Sequence, residues 1–150
     1  MAQRRKPYDL LMLMSVEFLM AVLIFYTGAL MLLMTYGASV DSIRESLGSG
    51  VAPMLYDDPK GVLEMLGWTF AALTIAILAE LWGLFKGKKY AYLFGMVTAF
   101  VIAIVNVITL MIFGFDNFQN MIRLVLGAVL PLVAIYYLVR PSIKAYLMVK

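Results

Sequence analysis

Two acidic residues lie inside long apolar stretches of the sequence, where a charge is costly. Glu17 lies about eight residues inside the first stretch, and Glu80 lies about five residues before the end of the second. A charge at the centre of a membrane helix costs about 2.5–3.5 kcal/mol on insertion scales. Both carboxyl groups fall at a similar depth, roughly 8–12 Å into the membrane. Two protonatable groups at one depth predict a site for a proton or a cation.

A purely structural role is the competing interpretation of the two glutamates. Basic residues near the helix ends could extend their apolar stems along the helices and reach the carboxylates. Hydroxyl groups on neighbouring helices could instead donate hydrogen bonds. The candidate partners are Lys86, Lys88 and Arg140 for the charges, and Ser15, Tyr136 and Tyr137 for the hydrogen bonds.

Two further polar residues complete the candidate intramembrane polar site. Asn106 interrupts the third apolar stretch and Arg123 lies near the start of the fourth. We expect Asn106 to donate a hydrogen bond between helices. We expect Arg123 to lie at the interface, paired with Asp116 or with a headgroup phosphate. The predicted site is therefore Glu17, Glu80, Asn106 and Arg123.

The residue types present speak against enzyme and cofactor chemistry. The chain has no cysteine and no histidine, which excludes thiolate or imidazole metal ligands, histidine-ligated haem and Ser-His or Cys-His nucleophiles. Asp57 and Asp58 are better explained as a helix cap, and the methionines as apolar filler. We predict a protein that is not an enzyme, with no catalytic residue, no cofactor and no metal.

The glutamates are positioned by apolar stretches that predict transmembrane helices. The composition is 64% hydrophobic and 14% charged, whereas a soluble domain has roughly 45–50% and about 25%. Four stretches, at about 10–36, 61–85, 90–115 and 121–139, are long enough to cross about 30 Å of hydrocarbon. Backbone groups in lipid must be paired internally, which favours helices. We predict an all-α polytopic membrane protein, with one domain over residues 1–150 and an antiparallel four-transmembrane-helix bundle.

The basic residues predict the orientation of the bundle. Of the 12 lysines and arginines, all but three fall on one side, which the positive-inside rule assigns to the cytoplasm. Both termini are therefore predicted inside a cell membrane that the chain crosses several times. The positive charge is explained by topology, so we expect the lipid bilayer and anionic headgroups as partners, and no nucleic acid. The exceptions are Arg44, Lys60 and Arg123.

The connecting segments carry their own signals. In the outer loop, residues 37–60, Val40, Ile43 and Leu47 have helical spacing and predict a short interfacial helix. Asp58 and Pro59 predict the N-cap and first position of the second membrane helix. The amphipathic residues 141–150 are expected at the cytoplasmic interface.

Stripes of small residues predict the faces on which the helices pack. Polar residues fall on the same stripes. The small residues and the polar residues therefore select the same face of each helix as the one that packs against other helices. Pro131 is expected to bend the fourth helix. The stripes are Ala21 and Gly28 with Glu17; Ala72, Ala76 and Gly83 with Glu80; Gly95, Ala99 and Ala103 with Asn106; and Gly127, Pro131 and Ala134.

Two segments resemble a known group of proteins. Residues 81–92 contain a Gly-Lys-Lys turn, and residues 136–146 contain Arg-Pro-Ser-Ile-Lys-Ala-Tyr. They are similar to segments of small, uncharacterised four-helix membrane proteins of archaea and bacteria. The resemblance implies a prokaryotic source and the helix count. It implies no activity and no functional residues.

Two functions are compatible with this sequence. The first is a non-enzymatic membrane protein that acts as a scaffold, an accessory subunit or a self-associating bundle, with a homo-oligomer or a larger membrane complex as partner. The alternative is a small proton- or cation-coupled transporter built around Glu17 and Glu80.

Overall fold

The computed structural model describes residues 7–47, 51–114 and 118–147, and for residues 118–125 it describes the backbone alone. Over these ranges the chain forms helices and no strand, so the predicted all-α class is confirmed. The helices are α1 Tyr8–Gly37, α2 Val40–Ser46, α3 Pro53–Asp57, α4 Pro59–Phe85, α5 Tyr90–Phe113, α6 Phe118–Leu138 and α7 Pro141–Tyr146.

Within the described ranges, three helices are long and apolar enough to cross a membrane. They are α1 with 30 residues, α4 with 27 and α5 with 24. At 1.5 Å per residue the shortest is about 36 Å long, more than the roughly 30 Å of hydrocarbon in a bilayer. The described apolar part of α6, Leu126–Leu138, is shorter than a span.

Large apolar side chains cover the outside of the long helices. Phe25, Ile75, Leu93, Phe100 and Met111 are each 60–69% exposed. In water, contiguous apolar surface of this kind drives association. In a bilayer, lipid tails cover it.

The start of α4 follows the sequence prediction. The Asp58 carboxylate accepts a hydrogen bond from the Gly61 N–H at 3.0 Å, and Pro59 occupies the first turn. The cap satisfies a backbone donor that the helix leaves free, and proline has no N–H to lose there.

The turn between α4 and α5 ends α4 sharply. Gly87 has a φ of 64°, a left-handed conformation that a Cβ disfavours. The Lys88 N–H donates to the Gly83 carbonyl at 2.9 Å, and the Gly87 N–H donates to the Leu84 carbonyl at 3.1 Å. These two bonds make a Schellman motif, which fixes α4 and α5 as an antiparallel hairpin.

Other helix ends differ from the predicted ones. α5 ends at Phe113 and not at residue 115, because Gly114 leaves the helix with a φ of 75°. Residues 115–117, on which the sequence places that break, lie outside the described residues. α1 begins two residues before its predicted apolar stretch. α4 begins at Pro59, as its predicted cap requires, which is two residues before its apolar stretch. α6 covers residues 118–138 in place of 121–139.

α1 packs mainly against α4, and the two helices run antiparallel. Their closest approach lies at two glycines. A Cβ atom on Gly28 would lie 2.9 Å from Phe70 Cβ and 3.1 Å from the Gly67 carbonyl oxygen. Farther along, the Tyr36 hydroxyl donates to the Glu64 carboxylate at 2.7 Å. Because no side chain separates the backbones at the glycines, their contact fixes how far one helix is shifted along the other.

α6 lies against α5 and α1. It is antiparallel to α5, since Gly95 lies beside Leu138 and Asn106 lies beside Gly127. After α6, the Arg140 guanidinium donates to the Asp9 carboxylate at 3.0 Å. This ion pair joins the start of α1 to the start of α7.

The two ends of the helix assembly differ in composition. One end, here called the basic end, carries the α4–α5 turn, the start of α1 and α7. It holds Lys86, Lys88, Lys89, Arg140 and Lys144. The other end, here called the loop end, carries residues 38–47 and 51–58.

The loop end contains one helix that the sequence predicts and one that it misses. In α2 Ile43 is buried while Asp41 and Glu45 are exposed, as its spacing predicts. α3 was not predicted. It buries Leu55, and the Ala52 N–H just before it donates to a carbonyl of α5 at 2.8 Å.

The predicted small-residue stripes are correct on α1 and wrong on part of α4. Ala21 and Gly28 are buried, but Ala72 is exposed. The inward face of α4 is formed by Gly67, by large apolar residues and by Glu80. Those large residues include Phe70, Leu73 and Ile77. On α5 Gly95 and Ala99 are buried, and on α6 Pro131 and Ala134 are buried.

The glycine contact between α1 and α4 gives a first test. We expect Gly28→Ala to lower the free energy of unfolding by about 1–3 kcal/mol, because its methyl group would overlap Phe70 and the α4 backbone. Gly37→Ala is the control, since a Cβ there meets nothing within 4 Å. The measurement is denaturant unfolding in detergent micelles. Equal stability of the two variants would contradict this packing.

Candidate functional site

The structure brings Glu17 and Glu80 together. The two carboxyl groups face each other across the α1–α4 interface, and both side chains have 0% exposure. A Cβ atom on Gly95 would lie 2.7 Å from Glu80 Cδ and 3.1 Å from Leu138 Cδ1. The carboxyl of Glu80 therefore rests on the bare backbone of α5 beside α6. The two groups, here called the carboxyl pair, lie where α1, α4, α5 and α6 meet.

The carboxyl pair has no counter-charge among the described residues. Apart from the two carboxyl groups themselves, no described side chain or backbone N–H donates a hydrogen bond to any of the four oxygens, and the one ion pair found in the described ranges is that of Arg140 with Asp9. Burying a carboxylate without a partner is strongly unfavourable. Buried charges in proteins are ordinarily paired, and this pair is not. A bound proton or cation is therefore needed to neutralise it.

None of the partners that the structural interpretation proposed for the glutamates donates a hydrogen bond to the four carboxyl oxygens, and most of these partners are engaged elsewhere. Arg140 binds Asp9 and donates to the Tyr136 hydroxyl. The Lys86 ammonium lies 4.8 Å from the centre of the Trp82 ring. The Ser15 hydroxyl donates to a carbonyl of its own helix at 2.9 Å, and Lys88 is exposed at the basic end.

Apolar side chains close the carboxyl pair off at the basic end. Leu13 on α1, Leu84 on α4 and Leu138 on α6 have 0% exposure. Two side chains of the C-terminal segment, Ile143 and Leu147, also have 0% exposure. The segment after α6 thus adds further buried apolar side chains at the basic end.

The structure separates the other two predicted site residues from the pair. Asn106 lies in the half of α5 nearer the loop end, about three turns from Gly95, a distance of roughly 16 Å at 1.5 Å per residue. Its amide donates to the Ile102 carbonyl of its own helix at 2.9 Å, so the hydrogen bond described for Asn106 lies within α5 and the predicted donation between helices stays a prediction. Arg123 lies in the first turns of α6 at the loop end, and its side chain, like Asp116, lies outside the described residues.

A cleft of about 280 Å³ lies between α1, α5 and α6, in the half of the helices nearer the loop end. The cleft is not among the features predicted from the sequence. Met20 and Ile102 line the end nearest the carboxyl pair, and Asn106 lines the wall. The signal in the sequence is the combination of Pro131 and Gly127 on α6 with Asn106 on α5, which leaves space where larger residues would fill the interior.

The site therefore consists of an enclosed carboxyl pair with a cleft above it. Met20 is one turn from Glu17 on the same face of α1, and it also lines the cleft. Two carboxyls facing each other in a low dielectric cannot both stay ionised without a cation. Chemically, the arrangement can hold one shared proton or one cation and release it when access opens.

Comparison of the chain with protein-family models, with curated protein sequences and with solved structures finds no match. The resemblance to small four-helix membrane proteins therefore stays a prediction. Any function has to be argued from the carboxyl pair, the cleft and the charges of the chain itself.

The contact between Glu80 and Gly95 gives a second test. We expect Gly95→Ala to lower the free energy of unfolding by about 1–3 kcal/mol, because the added methyl overlaps the carboxyl of Glu80. Glu80→Asp shortens that side chain, so Gly95→Ala should cost less in its presence, with a coupling energy of about 0.5–3 kcal/mol. The measurement is a double-mutant cycle in detergent. Additive effects would show that the two residues do not touch.

Proposed function

We propose that the chain is a small proton- or cation-coupled transporter of the cell membrane, with Glu17 and Glu80 as its ion-binding groups. The observation that carries the proposal is the carboxyl pair, which is fully enclosed and has no donor or counter-charge among the described residues. A cation or proton bound between the two groups supplies the missing charge.

The energetics favour a transport function over the scaffold that the sequence also allows. Replacing buried ionic groups with apolar residues of similar size is often neutral or stabilising. A helix assembly whose purpose is to pack would therefore gain from leucine at both positions. Retaining two acids at the meeting point of four helices favours a function that uses their charge.

The enclosure supports an occluded state in the proposed transport cycle. Leu13, Leu84 and Leu138 separate the carboxyl pair from the basic end, and Met20 and Ile102 separate it from the cleft. In the proposed cycle one of these layers opens at a time, so that the pair exchanges its proton or cation with each side in turn.

The proposed topology has four crossings with both termini in the cytoplasm. α6 has 21 residues and lies antiparallel to α5, which supports a fourth crossing. Its interior Pro131 is tolerated in membrane helices because neighbouring helices satisfy the backbone. The lysines and arginines of the basic end support a cytoplasmic assignment for that end, and their surplus fits the anionic headgroups of a prokaryotic membrane.

Proton flux in liposomes tests the proposed function. We expect reconstituted protein to acidify the lumen under a membrane potential that is negative inside, measured with an enclosed pH dye. The double variant Glu17→Gln with Glu80→Gln should lower the rate at least tenfold, because glutamine keeps the shape but cannot release a proton.

Glu64→Gln is the matched control for the flux experiment. It changes a carboxylate on the same helix as Glu80, but one that binds Tyr36 near the loop end. Its rate should equal that of the unchanged protein. A chain that moves neither protons nor the cations sodium, potassium and ammonium above the level of empty liposomes would refute the proposal.

The topology is tested by single cysteines, since the chain has none of its own. Glu45→Cys and Lys88→Cys both replace exposed residues, one at each end. We expect a membrane-impermeant maleimide to label residue 45 in intact cells and residue 88 only after the membrane is opened. Labelling of both from the same side would overturn the assignment.

A further inference from the structure

The cleft between α1, α5 and α6 has a polar lining of an unusual kind. Three of its polar side chains, Thr27, Asn106 and Thr109, each donate to the carbonyl four residues earlier on their own helix, at 2.9, 2.9 and 2.8 Å. Each hydroxyl uses its one proton in that hydrogen bond, and the amide uses one of its two hydrogens. The oxygen atoms of all three side chains are acceptors.

A backbone acceptor adds to these oxygens. Pro131 lies inside α6 and has no N–H, so it donates no hydrogen bond to the carbonyl of Gly127, four residues earlier. Gly127 and Pro131 both line the cleft. The freed carbonyl therefore belongs to a residue of the cleft wall, and this residue packs against Asn106, whose Cγ would be 2.6 Å from a Cβ on Gly127.

The rest of the cleft is apolar. Met20, Ile24, Phe70 and Leu130 supply alkyl and aromatic surface. The mouth lies in the seam between α1 and α6, where Tyr26 is 57% exposed and Leu126 is 37% exposed. The remaining donors of the lining are the second amide hydrogen of Asn106 and the Tyr26 hydroxyl at this mouth. Acceptors thus predominate in the interior of an otherwise apolar cleft.

This lining selects a ligand by charge and by hydrogen bonding. Oxygen acceptors without a cation bind groups that donate N–H bonds and carry positive charge, and they reject anions. The apolar surface requires a hydrocarbon body, and about 280 Å³ is at the small end of ligand sites. The carboxyl pair, one helical turn beyond Met20, adds negative charge at the deep end.

We infer that the cleft binds a small primary ammonium compound with an apolar body, as the substrate that the carboxyl pair exchanges for protons. This inference rests on the proposed function, because it names the substrate of that transporter. The ammonium group lies among the acceptors of Asn106, Thr27 and Gly127, and the hydrocarbon body lies against Ile24 and Phe70. Release of the proton from the carboxyl pair then attracts the ammonium past Met20.

Three probes test the chemistry of the cleft in the unchanged protein. They are 2-phenylethylammonium, its N,N,N-trimethyl analogue, and 2-phenylethanol, which share one hydrocarbon body. Binding is measured by calorimetry on protein in lipid nanodiscs, with empty nanodiscs subtracted. We expect the primary ammonium to bind at least tenfold more tightly than either analogue, since the trimethyl analogue has no N–H and the alcohol has no charge.

Matched threonine variants locate the binding site. Thr27→Val removes an acceptor from the cleft and should weaken binding of 2-phenylethylammonium at least threefold; with Asn106→Leu the loss should reach tenfold. Thr69→Val is the control, because Thr69 makes the same bond to its own helix at 2.8 Å on α4, outside the cleft. Its binding should equal that of the unchanged protein.

The outcomes separate this inference from the proposed function. Equal binding of the three probes, or binding unchanged by Thr27→Val and Asn106→Leu, overturns the inference and assigns the cleft to lipid chains. Selective binding in the cleft, with no ion flux either in the absence or in the presence of 2-phenylethylammonium, upholds the ammonium site and refutes the transporter. Flux that depends on Glu17 and Glu80, without selective binding, upholds the transporter and refutes the ammonium site.

Discussion

The contact between the backbones of α1 and α4 at Gly28 and Gly67 is the constraint on which the rest of the structure depends. Two long apolar helices could slide past each other with little change in lipid contact. A crossing without side chains removes that freedom, because neighbouring turns carry larger residues that do not fit there. Once this crossing is set, the antiparallel helices place Glu17 opposite Glu80 and, near the loop end, Tyr36 opposite Glu64.

The two kinds of acid in the chain show how environment determines the role of a residue. Asp9 lies at the basic end, binds Arg140 and accepts a bond from Ser142. Partly exposed ion pairs of this kind contribute about 0–1 kcal/mol. Glu17 and Glu80 lie among apolar residues, so their charge is balanced only if a proton or a cation accompanies them. Asp9 stabilises the fold through its ion pair, whereas burying Glu17 and Glu80 is unfavourable.

Sequence reasoning was strongest where local chemistry decides the outcome. The helical stretches, the Asp58 cap and the depth shared by Glu17 and Glu80 follow from hydrophobic length, backbone donors and distance to a helix end. The prediction that small residues form the packing face was wrong on part of α4, where Ala72 faces outward and Phe70 faces inward. Lipid and the protein interior are equally apolar, so hydrophobicity does not select a face there. Small residues alone were a poor guide.

Contacts between distant residues were also beyond sequence reasoning. Arg140 was a candidate partner for the glutamates, yet it binds Asp9, 131 residues earlier in the chain. The cleft escaped notice for a similar reason: its acceptors come from three helices, and each threonine bonds to its own helix. α3 was missed because its five residues are too few for a periodic pattern.

The order in which the buried elements occur along the chain also has a consequence for biosynthesis. α1 and α4 emerge early from the ribosome and can bring the carboxyl pair together at once. Leu138, Ile143 and Leu147, whose side chains are buried at the basic end, are made only after α1, α4 and α5. A nascent chain therefore carries two uncovered acids in the bilayer until these residues have been made, and a stop codon shortly before residue 138 would leave that state permanent.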